Sequence, residues 1–301
     1  MIFMKAAIRG TEIYFDVAGM QIVPHGKKLI EKPVLFLIHG GPGGNHLHFK
    51  YDSLKLQDVA QLVFIDQRGC GWSKKSKNSD YTLENNIEDI EALRKHLGLE
   101  RISILGISYG GMVAQGYAIR YSKNVDKLIL AVTAPSYHFI DEAKKNIELI
   151  GNAKQIAVCN KYLWKGSFNN DRNVEYYFKT MDSLYFFNKK RKRKKLLDNR
   201  GLKSGQFKSI LSYEVLNAGF SDFLHHFNFI PKLKKIACPT LILAGQNDWI
   251  CSPNQSRIIA KHVINSKLKI FKKCGHAITS DANEKYIKAV RHFLRYKHGL
   301  K

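Results

Sequence analysis

The chain has 301 residues, 45% of them hydrophobic, and its 49 Lys and Arg against 25 Asp and Glu give a formal net charge of +24. This length and apolar content predict a large folded core and argue against disorder. No run of about eighteen apolar residues predicts a membrane span, and Lys5, Arg9 and Glu12 interrupt the stretch that a signal peptide would need. We therefore expect a soluble cytoplasmic protein.

The positive charge suggests a nucleic-acid or anionic-membrane partner, because clustered basic residues attract phosphate. However, most lysines are interspersed along the chain, and the one dense basic run, at 188–197, carries no nucleic-acid-binding motif that we recognise. Such runs usually mark a solvated face. We expect a lysine-rich surface with no nucleic-acid partner and no membrane partner.

The cysteines do not indicate a disulfide framework or a zinc site, because they are scattered and form no CxxC pair. They are Cys70, Cys159, Cys238, Cys251 and Cys274. His46 and His48 have the spacing of a metal pair, but no nearby carboxylate or thiolate completes a ligand set. The sequence therefore predicts reduced thiols, no metal and no cofactor.

Strand and helix patterns alternate along most of the chain. Two alternating segments, 3–9 and 12–17, flank a Gly-Thr turn and predict an antiparallel hairpin. Continuous apolar runs predict buried strands at 33–40, 61–66, 101–106, 126–132, 239–245 and 267–272. Amphipathic stretches predict helices at 83–97, 112–121, 252–264 and 284–294. The predicted fold class is α/β, a mostly parallel central sheet flanked by helices.

This alternation stops between Pro135 and about Lys235. Here apolar positions recur at helical spacing, no strand-like run appears and aromatic residues are abundant. We expect most of these aromatics to pack helices together and some to line a substrate pocket. We predict a helical cap at 135–235, inserted into a core formed by 1–134 and 236–301.

The stretch Gly106-Ile107-Ser108-Tyr109-Gly110 fits the pattern G-x-S-x-G. In this pattern the serine occupies a tight turn from a strand to a helix, and its neighbours must be small. A predicted strand precedes Ser108, and the N-terminal dipole of a helix faces its oxygen from the other side. A passive serine in a glycine-rich bend is the other interpretation, but this context favours a nucleophile.

A serine nucleophile needs a base, and the base needs a carboxylate that fixes its tautomer. Asp248 and His276 follow the two last predicted strands, at the sheet edge that also presents Ser108. Taken alone, Asp248 is as easily a turn or helix cap, and eleven other histidines compete with His276. Together, in the order Ser, Asp, His, they predict a catalytic triad.

The stretch HGGPGGN, at 39–45, is a candidate oxyanion loop, because glycines let a backbone N–H approach a substrate oxygen closely. We assign the N–H groups of Gly41 and Tyr109 as oxyanion donors, with Gly40 as the alternative to Gly41. We interpret His39 as a buried, hydrogen-bonded anchor of this loop rather than as a catalytic group.

Four segments resemble the proline iminopeptidase family of the α/β-hydrolase superfamily. They are HGGPGGNH (39–46), FIDQRGCGWS (64–73), LGISYGG (105–111) and AGQNDWICSP (244–253). The first two are the distinctive ones, and the resemblance extends from about 10 to 295 and is weakest in the cap. It implies an α/β-hydrolase fold with an inserted helical cap, and serine-dependent release of an N-terminal residue, often proline, from short peptides.

The resemblance also implies roles for single residues. The triad positions match Ser108, Asp248 and His276, and the oxyanion positions match Gly41 and Tyr109. A loop that shapes the site without taking part in the chemistry matches Asp66, Arg68, Gly69 and Gly71.

An aminopeptidase must hold a protonated amine, which calls for carboxylates near the pocket. Where the family often has a glutamate in the cap, this chain has Asp222, and where related peptidases have a glutamate after the catalytic aspartate it has Trp249. A tryptophan face attracts a cation but suits an apolar acyl group equally well. The substrate-binding candidates are Asp222, Trp249 and Glu214, and Glu175 is a further cap acid.

The leading prediction is a serine hydrolase that releases N-terminal proline or another small residue from short peptides through an acyl-enzyme. An esterase or small-amide hydrolase on the same scaffold is the alternative. A binding protein that has lost turnover fits poorly with an intact triad, and a nucleic-acid binder fits poorly with scattered charge. The expected partner is a small peptide or ester substrate, and the sequence leaves the oligomeric state open.

Overall fold

The computed structural model of the protein describes residues 4–188 and 211–295. The strands are β1 (Met4–Ile8), β2 (Thr11–Ala18), β3 (Ile22–His25), β4 (Lys28–Glu31), β5 (Val34–Ile38), β6 (Gln61–Ile65), β7 (Ile102–Ile107), β8 (Val125–Ala131), β9 (Thr240–Gly245) and β10 (Ser266–Phe271). The α-helices are α1 (Leu47–Ser53), α2 (Leu83–His96), α3 (Tyr109–Arg120), α4 (His138–Ile150), α5 (Ala153–Val158), α6 (Asp171–Tyr185), α7 (Tyr213–Ser221), α8 (Pro253–His262), α9 (Ile278–Asp281) and α10 (Asn283–Arg295).

Eight strands form one sheet in the order β1-β2-β6-β5-β7-β8-β9-β10. β1 pairs with β2, and β2 with β6, in antiparallel fashion, whereas every other neighbouring pair is parallel. β5 and β9 are buried at every position, as expected for strands covered by helices on both faces of a sheet. The predicted α/β fold with a mostly parallel sheet is confirmed.

β3 and β4 form a separate two-stranded antiparallel sheet that the sequence pattern did not predict. Most of its side chains are exposed, including Ile22 and Leu29 at 60% and 72%. A strand is recognised from alternation between a buried and a solvated face, and Pro24 within the run argued against a strand. This hairpin has no buried face and therefore leaves no such signal.

The predicted helices are present as α2, α3, α8 and α10. α3 begins at Tyr109, three residues before the predicted start at 112. The difference arises at Gly110 and Gly111, whose low helix propensity hides the first turn in the sequence. A Cβ at Gly111 would lie 2.6 Å from the side chain of Thr133, so tight packing explains a glycine inside this helix.

The chain between β8 and β9 is helical where it is described, with α4, α5, a π-helical turn at Cys159–Leu163, α6 and α7. Its two ends pair with each other: Tyr137 N donates to Phe227 O, and Phe229 N donates to Pro135 O, both at 2.9 Å. The following 3₁₀ helix, Ile230–Lys235, packs on α3 and α8. The division into core and cap stays a prediction, and these contacts favour an end of the cap near 229.

The basic run at 188–197 begins at Asn188 and otherwise lies outside the described residues. Across 4–188 and 211–295, no helix combines the length and the apolar character needed to span a bilayer.

A buried carboxylate connects α2 to α3, the helix that follows Ser108. Glu91 accepts hydrogen bonds from Arg94 Nε and Nη2 at 2.9 and 2.7 Å and from Tyr117 Oη at 2.8 Å. Burial alone would raise the pKa of Glu91, but the hydrogen bonds from Arg94 and Tyr117 and the charge of Arg94 outweigh it and lower the pKa to about 2. The carboxylate therefore stabilises the fold in its ionised form.

Glu91→Gln is expected to lower the free energy of unfolding by about 2 kcal/mol at neutral pH. Because the folded-state pKa of about 2 lies below the ordinary value of 4.5, this contribution is complete above about pH 4.5 and is lost as the pH falls towards 2. Urea unfolding of parent and variant at a series of pH values measures it.

The control is Glu12→Gln, which removes an exposed pair with Lys5 and should change stability by less than about 1 kcal/mol. A stability difference between parent and Glu91→Gln that stays constant down to about pH 3 would contradict the assignment.

Candidate active site

Ser108 lies on the turn between β7 and α3. Its backbone has φ 55° and ψ −121°, a conformation that residues other than glycine seldom adopt. Ser108 N donates to Ala131 O at 2.9 Å, and Thr133 Oγ1 donates to Ser108 O at 2.7 Å. The end of β8 and the residues after it thus hold the turn in its unusual conformation.

The glycines on either side of Ser108 are required by packing against backbone. A Cβ on Gly106 would collide with the carbonyl oxygen of Gly110, and a Cβ on Gly110 would collide with that of Ile38 at the end of β5. Backbone atoms in a central strand cannot move aside cheaply. The two glycines therefore allow the turn to sit directly on the end of β5.

Three side chains at the carboxyl edge of the sheet form a continuous hydrogen-bonded row. Ser108 Oγ lies 3.0 Å from His276 Nε2, and His276 Nδ1 lies 2.8 Å from Asp248 Oδ2. Asp248 is buried, and its Oδ1 accepts the backbone N–H groups of Ile250 and Cys251, both at 3.0 Å. A carboxylate at Nδ1 places the imidazole proton there and leaves Nε2 to accept the serine proton.

The loop after β5 passes close to the Ser108 turn. A Cβ on Gly40 would lie 3.0 Å from Ser108 Cβ, and one on Gly41, where φ is 130°, would lie 2.7 Å from Gly43 N. Tyr109 is the first residue of α3, so its N–H has no acceptor within the helix. The oxyanion roles of the Gly41 and Tyr109 N–H groups stay a prediction, for which this geometry leaves room.

His39 joins the loop after β5 to the loop after β6. Gln67 N donates to His39 Nε2 at 3.1 Å, so the ring proton lies on Nδ1, which donates to Gly40 O at 2.8 Å. Gln67 Nε2 also donates to His39 O at 2.9 Å. These contacts fit the interpretation of His39 as a buried anchor.

Asp66 joins the same two loops through a second set of hydrogen bonds. Its Oδ1 accepts from His46 N and lies 2.8 Å from His46 Nδ1, and its Oδ2 accepts from Trp72 N at 3.0 Å. Burial alone would raise the pKa of Asp66, but the hydrogen bonds and positive charge around it, chiefly from His46, lower it. A Cβ on Gly71 would collide with this carboxylate. Asp66 therefore joins the loop after β5 to the loop after β6.

Arg68 and Gly69 extend the same loop towards α2. Arg68 Nε and Nη2 donate to Asp89 at 2.9 and 2.7 Å. A Cβ on Gly69, where φ is 73°, would collide with the ring of Tyr81. The four residues predicted to shape the site thus all contact loop or helix neighbours.

A cavity of about 610 Å³ opens beside Ser108 and His276. The loop after β5 and residues 276–280 form its floor, and the helices between β8 and β9 form its roof. Much of the lining is apolar, contributed by Leu163, Val174, Phe178, Phe186, Leu211, Leu216, Phe220 and Ile250. The cavity can therefore hold a small substrate against the serine while its apolar part is removed from water.

Of the acids predicted to hold the substrate amine, two lie elsewhere. Asp222 directly follows α7, is 70% exposed and pairs with His226 at 3.3 Å. Glu214 pairs with Lys75 at 2.8 Å. Neither is among the described residues that line the cavity, so their placement does not support the expected role. Their distance from the triad along the chain is visible in the sequence, but the direction of their side chains is not.

Trp249 is also outside the described cavity lining. It is buried, and its ring packs edge-to-face against Trp164 and Tyr185, with centroids 6.3 and 5.7 Å away. Its carbonyl oxygen accepts from Asn146 Nδ2 at 2.9 Å. Trp249 therefore packs the loop that carries Asp248 against the helices above it, where the sequence suggested an aromatic surface for substrate.

The charged part of the described lining comes from α6. Glu175, Lys179 and Asp182 follow one another at i, i+4 and i+7, with Phe178 on the same face. Glu175 was considered from sequence as a further cap acid, whereas Asp182 and Lys179 were missed. The helical spacing of these residues was visible in the sequence, but nothing there showed which face of α6 meets the serine.

The cysteines are buried and free. Burial raises the pKa of Cys274 to about 12 and that of Cys251 well above its ordinary value, so both thiols near the site are poor nucleophiles. Among the described residues no three His, Cys, Asp or Glu side chains are placed to hold a metal ion.

Gly110→Ala is expected to reduce turnover by at least about 100-fold, because its Cβ would displace the Ser108 turn from β5. The matched control in the same helix is Gly116→Ala, whose Cβ meets side-chain atoms of Ile87 and Phe229 first; it should cost stability but keep activity. Steady-state rates and thermal unfolding of both variants measure this, and a fully active Gly110→Ala enzyme would contradict the packing argument.

Comparisons with known proteins agree with this geometry. A family profile described as the alpha/beta hydrolase fold matches residues 33–282. The proline iminopeptidase of Lactobacillus helveticus is 30% identical over 305 residues, covering 96% of each chain, and that of Saccharolobus solfataricus is 29% identical, covering 88% of this chain and 86% of its own.

Among solved structures, the fold resembles a proline iminopeptidase of Mycobacterium smegmatis (TM-score 0.73, 20% identity, 97% of each chain). It also resembles an esterase of Exiguobacterium antarcticum (TM-score 0.67, 19% identity, 98% of this chain and 100% of the other). At such identities these structures support the fold alone. With the profile match and the 30% identity over almost the whole chain, the chain belongs to the proline iminopeptidase family of α/β hydrolases.

Proposed function

We propose that this protein is a serine aminopeptidase that releases N-terminal proline or another small residue from short peptides. The observation that carries the proposal is the hydrogen-bonded row from Ser108 through His276 to Asp248, at the floor of a cavity of about 610 Å³. A small roofed cavity favours a chain end over the middle of a long polypeptide.

In the proposed mechanism, Ser108 Oγ attacks the carbonyl carbon of the first residue while its proton passes to His276 Nε2. Asp248 stabilises the imidazolium through Nδ1–H. The N–H groups of Gly41 and Tyr109 hold the negative oxygen of the tetrahedral intermediate. The C–N bond then breaks, and His276 returns the proton to the leaving peptide amine. Water, deprotonated by His276, hydrolyses the acyl-enzyme by the same steps and releases the free residue.

We assign the substrate's α-ammonium to Glu175, on the face of α6 that lines the cavity. Glu175 lines the cavity there, one α-helical turn from Lys179 and two from Asp182. A carboxylate in the lining attracts the free amine of a peptide whose first carbonyl lies at Ser108. This assignment replaces Asp222 and Glu214, whose side chains pair with His226 and Lys75 outside the described lining.

An esterase or small-amide hydrolase is the second candidate. The apolar lining from α6, α7 and the π-helical turn favours it, because an acyl group without a charged amine is bound there at no cost in desolvated charge. The two candidates share the chemistry at Ser108 and differ in what holds the acyl part.

The purified protein is expected to hydrolyse a prolyl arylamide, and Ser108→Ala is expected to lose at least about 1,000-fold of that rate. A short-chain nitrophenyl ester tests the second candidate in the same assay. Ester turnover with no arylamide cleavage would contradict the aminopeptidase. Full activity of Ser108→Ala on both substrates would contradict the nucleophile.

Glu175→Gln is expected to raise KM for the arylamide by about fivefold, since a partly solvated charge pair contributes about 1 kcal/mol, while kcat changes little. The ester has no amine, so its KM should stay unchanged. Glu148→Gln, on an exposed position of α4 away from the described lining, is the matched control. Equal changes in KM for arylamide and ester would contradict the amine assignment.

A further inference from the structure

The loop that carries His276 is bonded to the chain that leaves α6. Asp281, the last residue of α9, accepts three backbone N–H groups with its carboxylate: Gly275 N at 2.9 Å, Phe187 N at 2.8 Å and Asn188 N at 3.1 Å. Gly275 directly precedes His276, and Phe187 lies two residues after the end of α6. The Asp281 side chain therefore joins the loop that carries His276, which we call the base loop, to the helical roof of the cavity.

A second set of contacts joins the same two segments. Tyr185 O accepts from Ala277 N at 2.9 Å, and the Tyr185 ring packs edge-to-face on the His276 ring with centroids 5.6 Å apart. A Cβ on Gly275 would lie 2.7 Å from Tyr185 O. The residues on both sides of His276 thus contact the end of α6.

The structure assigns to Asp281 the role of a positioning residue that fixes the His276 imidazole by joining the loop that carries it to the chain leaving α6. We call the hydrogen bonds of Asp281 to Gly275, Phe187 and Asn188 the Asp281 clamp. Asp281 is not among the described residues that line the cavity, so it acts through the base loop and not on substrate. This inference rests on the proposed roles of Ser108 and His276.

A general base must be placed precisely with respect to its nucleophile. His276 follows β10 by five residues and has Gly275 beside it, so the strand ladder does not fix its backbone. Its Nε2 must stay about 3 Å from Ser108 Oγ, and a misplacement of 1 Å costs up to about 100-fold in rate. The Asp281 clamp supplies this constraint from the roof of the cavity.

The experiment measures the rate at which a small alkyl fluorophosphonate labels Ser108. Labelling requires the serine and its base but not the amine site, so it does not depend on peptide specificity. Asp281→Ala removes the acceptor, and Phe187→Pro removes one donor while its exposed ring contributes little packing. The preceding residue, Phe186, has φ −115° and ψ 129°, which a following proline tolerates. The variant with both substitutions completes a double-mutant cycle, which measures whether the two changes act through the same contacts.

Asp58→Ala is the matched control, because Asp58 pairs with Arg291 and Arg295 on α10 and touches neither the base loop nor the described lining. All rates are measured well below the melting temperature of each variant. We expect Asp281→Ala to lower the labelling rate roughly 10-fold and Phe187→Pro to lower it less. The double variant should label at a rate within about twofold of that of Asp281→Ala, because both changes break the same set of contacts. Asp58→Ala should label at the parent rate.

Three results would overturn the inference. They are a labelling rate of Asp281→Ala within about twofold of the parent, an equal loss in Asp58→Ala, and single effects that multiply in the double variant. Failure of the parent protein itself to label at Ser108 would instead overturn the proposed nucleophile, and the role of the clamp with it. Labelling of the parent protein therefore distinguishes a failure of the proposed nucleophile from a failure of the Asp281 clamp.

Discussion

The backbone conformation of Ser108 is the constraint on which the site depends. A serine with φ 55° at the end of a buried strand is stable only where its surroundings leave no alternative. Gly106 and Gly110 provide the space, and β5 and the Thr133 hydroxyl provide the contacts. This turn places the serine oxygen above the carboxyl edge of the sheet and aims the N-terminus of α3 at the same point.

The remaining parts of the site reach that point from separate loops. His39, Gln67 and Asp66 hold the loop after β5 against the loop after β6. The loops after β9 and β10 bring Asp248 and His276, and each of them is bonded in turn to the helices above the sheet. The roof therefore does more than enclose a cavity, because it also supports the loops of the acid and the base.

The sequence predicted the parts of the fold that have a periodic or local cause. Eight strands and four helices followed from apolar runs and amphipathic spacing, and the order of Ser108, Asp248 and His276 at strand ends followed from the rule that parallel strands share a carboxyl edge. The hairpin of β3 and β4 was missed because it buries no face.

The side chains with which the helices line the cavity were not predictable in the same way, because their position depends on which face of a helix meets the cavity. Asp222 and Glu214 carry suitable charges but form ion pairs outside the described lining. The Trp249 ring packs against other aromatic rings. Glu175 and Asp182 line the cavity through the orientation of α6, which is set by its contacts with other helices and not by its own sequence.

The covalent intermediate identifies the nucleophile directly. The protein is mixed with a prolyl ester or arylamide, quenched in acid within the first turnover and digested, and the peptide that contains Ser108 is examined by mass spectrometry. The account predicts that this peptide carries one prolyl group as an ester of Ser108. Turnover of the substrate with the prolyl group on another residue, or with Ser108 unmodified throughout, would contradict it.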